Sequence, residues 1–473
     1  MQNPLQCYSP SRLTRFGPIL AVYAVYASLA GVDCPNILYL HSHDTGRYIQ
    51  PYGYAVPTPH LQQLAQQGVM FRQAFCANPT CSPSRAALLT GQCAHSAGML
   101  GLAHRGFRLN DYRQHLIHTL RDQAGYESTL CGIQHIAHGP DAATKIIGYD
   151  RFLPSDHHNR SQVIAEFLHS KPKQPFFLSA GFFETHREFP EPACDEPLTD
   201  PRYVRPPAFL PDTPEARHDM AAYNTMARTL DRHYGRVLQA LDESGLAENT
   251  LVICTTDHGI AFPFAKCNLT DHGIGVLMIL HGPKGSGFEG GKVIDAMVSQ
   301  IDIFPTICEL LSLQPPPWLE GRSFLPLVTG QAELIRDEVF AEVNYHAAYE
   351  PMRAVRTRRY KYIRRYDDRA RPVLPNCDDS ISKTVVYEAG WCDRPPEQEL
   401  LFDLMLDPNE SVNLASRPEM SDVLADMRSR LDRWMRQTND PLLSSQPIPL
   451  PEGAVVNNAD DYSPQAPTRP ASA

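Results

Sequence analysis

Short apolar runs that end in polar, chemistry-bearing residues constrain the fold of this chain most. Two such runs, residues 36–40 and 251–253, are each followed within a few residues by a paired histidine and aspartate, His43-Asp44 and Asp257-His258. Apolar runs this short are typical of strands buried on both faces, as in a parallel sheet. Because sites in such sheets lie beyond the carboxyl ends of the strands, we expect the two pairs at one sheet edge.

Helical patterns lie between the apolar runs. Thr58 caps a helix that has Pro59 at its first position and ends at Gly68, and an amphipathic helix ends near Gly245. Further apolar runs at 176–178 and 276–280 continue the alternation of strands and helices. The pattern predicts an α/β fold with a large, mostly parallel sheet flanked by helices.

The pattern of predicted strands and helices changes near residue 335, so we predict a catalytic domain over residues 34–334. Short strand patterns joined by polar turns follow at 339–343, 352–355 and 360–363, and then a helix near 418–436. Residues 335–440 are predicted to form a smaller C-terminal α+β subdomain with an antiparallel sheet. The last segment, 441–473, is rich in Pro, Ser and Asn and is predicted to be disordered.

The first 33 residues allow two interpretations. An apolar stretch at 17–31 follows Arg12 and Arg15 and ends in small residues, which is the layout of a secretory signal peptide. The alternative is a simple N-terminal extension. A signal peptide would direct the protein to a secreted, periplasmic or lumenal location, and its absence would leave it cytoplasmic. No apolar run reaches the roughly 20 residues of a membrane span, so no integral membrane segment is predicted.

Charge and cysteine spacing exclude other classes. The net charge is −10, with 43 basic and 53 acidic residues, which gives no electrostatic footprint for nucleic acid. The 12 cysteines form no CxxC pair. A redox or zinc-finger protein is therefore disfavoured.

The segment around Cys81 carries the most specific signal. Cys81 precedes Pro83 and the apolar helical residues 86–89, so its sulfur is expected at a helix N-terminus beside Arg85. The helix dipole and the cation both favour an anion there, which indicates a reactive cysteine. A buried structural cysteine before a helix is the plain alternative.

The run C-x-P-S-R-x-x-x-x-T-G at 81–91 resembles the sulfatase signature, whose cysteine is converted to Cα-formylglycine. Segments at 35–38, 58–61, 71–75 and 256–259 are also similar to sulfatases, so the resemblance covers most of the chain. Within the family, residues 98–102, 211–214 and 351–353 are most similar to heparan N-sulfatases. The resemblance implies an alkaline-phosphatase-like fold and hydrolysis of sulfate esters or sulfamates of a sugar.

The resemblance also implies roles for individual residues. Cys81 would supply the nucleophile, Arg85 would hold it, and Lys266 would bind a sulfate oxygen. His135 would take a proton as the sulfated intermediate collapses, and His186 would lie near the leaving group. The expected metal ligands are Asp44, Asp257, His258 and His43. The expected substrate-binding residues are Tyr345, His346 and Arg353, although ordinary strand and turn roles explain these three equally well.

The resemblance implies one divalent cation, a sulfated small molecule or saccharide as substrate, and a formylglycine-generating enzyme as partner. Three departures bear on these implications. His43 stands where sulfatases usually carry aspartate, and His258 where many carry asparagine. Ca²⁺ is expected from the family, but imidazole ligands suit Mn²⁺ or Zn²⁺ better. Ile133 replaces a lysine, and Gln134 could take over part of its hydrogen bonding.

Two alternative functions stay open. The first is a phosphomonoesterase or phosphodiesterase on the same fold, because Asp-His pairs hold transition metals there. The second is a non-catalytic relative that binds sulfated carbohydrate, because the lysine is lost at Ile133.

Overall fold

The structure is a computed structural model that describes residues 34–189, 197–444 and 447–470. The prediction for residues 1–33 lies outside this range. The strands of the main sheet are β1 (Asn36–Ser42), β2 (Val69–Phe71), β4 (Glu127–Gly132), β5 (Arg151–Leu153), β6 (Phe176–Gly181), β7 (Thr250–Thr256), β8 (Met278–His281) and β9 (Lys292–Ile294). A short pair, β3 (Ala74–Phe75) and β10 (Val298–Ser299), stands beside them.

The main sheet has eight strands in the order β5-β4-β6-β1-β7-β8-β2-β9. Strand β1 runs parallel to both β6 and β7, whereas β8 runs antiparallel to its two neighbours. The sequence-based expectation of a large, mostly parallel sheet is therefore confirmed.

Alternate residues of the central strands point to opposite cores. Ile37 and Ile253 belong to one core cluster, while Leu38 and Val252 belong to the cluster on the other face. Both faces are covered by helices, which explains why these strands are continuous apolar runs rather than alternating ones. The longer helices of this domain are α1 (Pro59–Gln67), α2 (Cys81–Thr90), α3 (Leu116–Ala124), α4 (Arg160–His169), α5 (Pro214–Glu243) and α6 (Ile303–Leu310).

The C-terminal part forms a second sheet. Strands β11 (Glu338–Tyr345), β12 (Tyr349–Thr357), β13 (Tyr360–Arg365) and β14 (Glu399–Asp403) pair antiparallel in sequence order. Helix α7 (Ile381–Glu388) precedes β14, and helix α8 (Ser421–Gln437) packs Leu431 and Trp434 against Val355 and Tyr362. The predicted antiparallel sheet is confirmed.

The two sheets share a core. Ala354 and Ile363 of the C-terminal sheet lie in the same buried cluster as Ile37 and Leu88 of the main domain. These C-terminal residues therefore extend the hydrophobic core of the larger domain.

The described part of the last segment packs against the rest of the protein, although its composition predicts disorder. The Tyr345 hydroxyl donates to the Ile448 carbonyl at 2.6 Å, and the Asn457 amide donates to the Ala347 carbonyl at 2.8 Å. Lys383 donates to the Tyr462 carbonyl at 2.7 Å. Apolar burial adds to these hydrogen bonds, because Ile448 and Ala454 lie in the buried hydrophobic clusters of the protein. Composition reports neither kind of contact.

Within the described ranges, no helix is both long and apolar enough to cross a bilayer.

Candidate active site

The parallel pairing of β1 with β7 brings the two predicted histidine–aspartate pairs together. Ser42 is aligned with Thr256 at the ends of the strands, so the residues that follow leave the sheet side by side. The Asp44 amide donates to Asp257 Oδ1 at 2.8 Å, and Asp44 adopts a left-handed conformation with φ of 52°. This turn directs both carboxylates to the same point beyond the sheet.

Each of the two carboxylates has its own buried cation. Arg85 donates to Asp257 Oδ2 at 3.0 Å, and Lys266 donates to Asp44 Oδ2 at 3.1 Å. Burial acts to raise the pKa of Asp257, but the opposing effects of His258 and Arg85 bring that pKa below its usual range. Asp257 is therefore a carboxylate at neutral pH.

His258 adds a nitrogen ligand to this point. Its Nδ1 lies 3.0 Å from the Gly259 carbonyl, so we assign the proton to Nδ1 and the lone pair to Nε2. Nε2 lies 3.2 Å from Asp44 Oδ1 and 3.7 Å from Asp257 Oδ2. A lone pair facing two carboxylates needs a cation between them, as is typical of a metal ligand whose other nitrogen is fixed by a carbonyl.

Unpaired buried atoms support the same assignment. Asp44 Oδ1 and both ring nitrogens of His43 have no hydrogen-bond partner within the described parts of the chain. Ligand atoms of Asp44, Cys81, Asp257 and His258 all lie within 4.8 Å of one another. A second overlapping group joins His43 and His186 to Asp44 and Cys81. The residues present therefore fit one divalent cation.

Cys81 begins helix α2, and its Sγ lies 3.5 Å from His258 Nε2. The electrostatics differ from the expectation, because Arg85 turns away from the sulfur. Its guanidinium lies 2.6 Å from His41 Nδ1 and donates to the Ser42 carbonyl and to Asp257. Burial raises the pKa of the Cys81 thiol well above its ordinary value, with only partial compensation by Lys266. The unmodified side chain is therefore a neutral thiol.

The two predicted catalytic histidines both lie near His43. The His135 ring is 5.7 Å from the His43 ring, and the His186 ring is 5.3 Å from it. His186 Nε2 lies 4.0 Å from Asp44 Oδ2. Burial lowers the pKa of His135 well below its ordinary value, and His104 and Arg85 lower it further. His135 is thus a neutral imidazole, which is able to accept a proton.

Lys266 connects the sheet edge with the C-terminal subdomain. Its Nζ lies 2.8 Å from Asp378 Oδ2 as well as 3.1 Å from Asp44. Burial acts to lower the pKa of Lys266, but Asp378 and Asp44 raise it well above the ordinary value. Lys266 is therefore a permanent cation inside the site.

Asp378 and His104 were missed by the sequence reasoning. Asp378 follows no strand, and its single signal is an adjacent aspartate, Asp379, which is common in loops. His104 lies in a short 3-10 turn at 103–105, and its Nδ1 is 3.0 Å from His135 Nε2. Neither residue carries a local pattern, because the chain brings each to the site from a distant segment.

Only one of the three predicted substrate-binding residues is near this cluster. His346 is buried, and burial and the charge of Lys266 lower its pKa well below the ordinary value. Tyr345 is buried and hydrogen-bonded to the Ile448 carbonyl. Arg353 is fully buried and donates to Asp440 and Asn344, so its guanidinium belongs to the core.

Gln134 does not compensate for the lysine that Ile133 replaces. Its amide oxygen accepts from the backbone amides of Ile136 and Ala137, at 2.6 and 2.9 Å, and its amide nitrogen donates to the Ala137 carbonyl. Gln134 thus stabilises the turn that carries His135 and does not replace the positive charge of the absent lysine.

Two family models match the chain. The sulfatase model matches residues 35–313, and the model for the N-sulphoglucosamine sulphohydrolase C-terminal region matches residues 258–377. The N-sulphoglucosamine sulphohydrolase of Homo sapiens is 30% identical over 463 residues, which cover 86% of this chain and 91% of that protein. An ulvan-active sulfatase of Formosa agariphila is 28% identical over 89% of this chain and 77% of its own length.

Solved structures share the fold. A 2-O GAG sulfatase superposes with a TM-score of 0.66 at 21% identity, covering 87% of this chain and 94% of that one. The phosphonate monoester hydrolase of Agrobacterium radiobacter gives the same TM-score and identity, with 87% and 97% covered. The architecture is therefore the one that sulfatases and phosphonate hydrolases have in common.

Proposed function

This chain belongs to the sulfatase family, and from that premise we propose that it hydrolyses sulfate esters or sulfamates of sugars with a formylglycine formed at residue 81. The observation that carries the proposal is the grouping of Cys81, Asp44, Asp257 and His258, whose ligand atoms lie within 4.8 Å of one another. A nucleophile and a cation site in one place are what hydrolysis of an anionic ester requires.

The nucleophile depends on a modification. The raised thiol pKa keeps Cys81 protonated, so the unmodified residue is a poor nucleophile. A separate formylglycine-generating enzyme would oxidise the side chain with molecular oxygen, so that the sulfur leaves as hydrogen sulfide and an aldehyde remains. This aldehyde hydrates to a geminal diol. One hydroxyl of that diol attacks sulfur, and the bond from sulfur to the sugar oxygen or nitrogen breaks.

Asp44, Asp257 and His258 would hold the cation, with His43 beside them. A bound divalent cation supplies charge that polarises the sulfate oxygens and favours ionisation of the diol. Lys266 would bind a sulfate oxygen, and this role is supported by its buried, charged ammonium 3.1 Å from Asp44. Arg85 neutralises Asp257 and so limits the negative charge that the incoming sulfate meets.

Each of the two histidines, His135 and His186, is assigned one proton transfer. His186, which is partly exposed, is assigned to protonate the departing sugar oxygen or nitrogen. His135, which is neutral, takes the proton of the second diol hydroxyl. That transfer breaks the carbon–oxygen bond to sulfate, releases sulfate and restores the aldehyde.

The relatives support a sulfated sugar as the substrate. The matched proteins include one named for N-sulphoglucosamine and a Bacteroides thetaiotaomicron Delta 4,5-hexuronate-2-O-sulfatase that is 25% identical over 88% of this chain. We infer a sulfated saccharide as substrate. We propose that His346 and Asp378 contact it at the edge of the site, since both lie near Lys266.

Phosphate-ester hydrolysis is the second candidate. It is favoured by the phosphonate monoester hydrolase neighbour and by His258, whose imidazole suits Mn²⁺ or Zn²⁺ better than Ca²⁺. The two candidates make opposite predictions for matched aryl sulfate and aryl phosphate substrates.

The test begins with protein co-expressed with a formylglycine-generating enzyme. Mass spectrometry of the tryptic peptide 73–85 should find an aldehyde at residue 81 and a thiol at Cys76, which is also buried. The preparation is then assayed on N-sulfoglucosamine, aryl sulfate and aryl phosphate, and its metal is identified by elemental analysis.

We expect Cys81→Ala to lower sulfate or sulfamate turnover by at least about 10³-fold, because it removes the attacking group. Cys76→Ser is the matched control and should retain most of the rate. Dominant phosphatase activity, or turnover that survives Cys81→Ala, would overturn the sulfatase proposal.

A further inference from the structure

We propose that His104 is a positioning residue that sets the tautomer of His135; this inference rests on the proton-accepting role given to His135 in the proposed function. His104 Nδ1 lies 3.0 Å from His135 Nε2, and the two rings are within 10° of parallel with centroids 5.3 Å apart. Two imidazole nitrogens at this distance share one hydrogen, which is carried by one ring and accepted by the other.

His135 has little else to fix its ring. Its Nδ1 is buried and without a hydrogen-bond partner within the described part of the chain. Its backbone is left-handed, with φ of 56°, at the exit of β4. Ile133 offers no polar group, and Gln134 is committed to the turn. The contact with His104 therefore decides which nitrogen of His135 has the free lone pair.

The turn that carries His104 is held from two sides. The Ala103 amide donates to the Ser82 hydroxyl at 3.0 Å, which links the turn to the residue after Cys81. Arg105 donates to the Pro464 carbonyl at 3.0 Å and to the Ala347 carbonyl at 3.4 Å. His104 is thus located relative to both the nucleophile helix and the C-terminal subdomain.

The direction of the hydrogen bond between His104 and His135 follows from which nitrogen of each ring carries a proton. For His135 to accept a proton on Nδ1, its Nε2 must already carry one, so His104 Nδ1 must be the acceptor. His104 then carries its own proton on Nε2, and because the residue is exposed that group can be solvated by water. This is the same logic by which a buried carboxylate orients the histidine of a catalytic triad.

Two substitutions at residue 104 separate the hydrogen bond from the stacking contact. His104→Asn keeps a carbonyl oxygen near the position of Nδ1, whereas His104→Phe keeps the ring but removes the acceptor. We expect His104→Phe to lower kcat by about 10–100-fold with KM changed less than about 2-fold, and His104→Asn to recover most of that loss. His138→Phe replaces an exposed histidine that acts electrostatically on His104 and is outside the proposed machinery, so this control should match the wild type.

Equal losses in the Asn and Phe variants, or no loss in either, would overturn the inference. Melting temperature and metal content should be unchanged in both variants, which excludes a general structural cause.

A second measurement does not need turnover. In protein with nitrogen-15-labelled histidines, the His135 resonances, identified by their loss in His135→Asn, should report a protonated Nε2 in the wild type and a mixture of tautomers in His104→Phe. An unchanged tautomer in His104→Phe would contradict the inference. A wild type with formylglycine and no sulfatase activity would instead contradict the proposed function and leave this spectroscopic comparison intact.

Discussion

The two halves of the site are built in different ways. The sheet-edge half consists of side chains that leave β1 and β7 or lie on helix α2, and its central contacts are Arg85 with Asp257 and Asp44 with His258. The loop half comes from separate connecting segments and from the C-terminal subdomain, and its central contact is Lys266 with Asp378. The first half holds the proposed ligands of the cation, while the second holds the groups that we propose to face the substrate.

The contrast teaches that the proposed cation site and the proposed substrate contacts rest on separate scaffolds. A parallel sheet fixes its strand ends rigidly, which suits a cation site that tolerates little displacement. Loops and a second subdomain vary independently of that sheet, which suits residues that select the sugar. Lys266 is the junction of the halves, since it contacts Asp44 and Asp378 at once.

The largest effect is expected in the sheet-edge half. Asp257→Asn removes a proposed cation ligand and leaves Arg85 buried without its carboxylate partner. We expect loss of bound metal, a fall in kcat/KM of about 10³-fold or more, and a loss of stability of about 3–5 kcal/mol. Elemental analysis, steady-state kinetics and thermal denaturation measure the three effects. Normal metal content in this variant would show that the cation site is wrongly placed.

A smaller effect is expected in the loop half. Asp378→Asn removes one of the two carboxylates that hold Lys266, and the remaining partner, Asp44, keeps the ammonium in place. We expect kcat/KM to fall by about 10–100-fold while metal content stays normal. Asp379→Asn, at the neighbouring exposed position, is the control and should have little effect on the rate. Loss of metal in Asp378→Asn would remove the distinction between the two halves.

The same contrast explains what the sequence could predict. Apolar runs followed by His43-Asp44 and Asp257-His258 predict the sheet and the edge at which the two pairs meet, because strand periodicity is a local property, and the resemblance to sulfatases adds the role of cation ligands. His104 and Asp378 have no such local property, since they reach the site through contacts between distant segments. Arg353 shows the opposite case: the sequence leaves substrate binding and an ordinary strand role equally open, and in the structure Asp440 and Asn344 hold its guanidinium in the core. Burial of a single residue depends on its three-dimensional neighbours, which one-dimensional patterns do not contain.

The smallest effect concerns the contact between the two subdomains. Glu342 on β11 accepts from His95 of the main domain at 2.9 Å, and both side chains are buried. Burial acts to raise the pKa of Glu342, but His95 and Arg353 outweigh it and lower that pKa from 4.5 to about 2. Burial would lower the pKa of His95, yet Glu342 keeps it above its ordinary value.

A carboxylate whose pKa is lowered by folding stabilises the protein above its unfolded pKa, and this contribution is lost as the pH falls through the folded value. The advantage of the wild type over Glu342→Gln should therefore be about 1–3 kcal/mol at neutral pH and should shrink as the pH falls from 4.5 towards about 2. His95 adds the opposite dependence, because its stabilisation is complete below its ordinary pKa and is lost as the pH rises through the raised one. Thermal denaturation from acid to mildly alkaline pH measures both pH dependences.

Glu338→Gln is the control, on the same strand with a more exposed side chain paired to Arg430. It should change stability by less than about 1 kcal/mol and show no such pH dependence. A constant difference between wild type and Glu342→Gln across this range would mean that the buried carboxylate is not charged and that no ion pair forms at this contact.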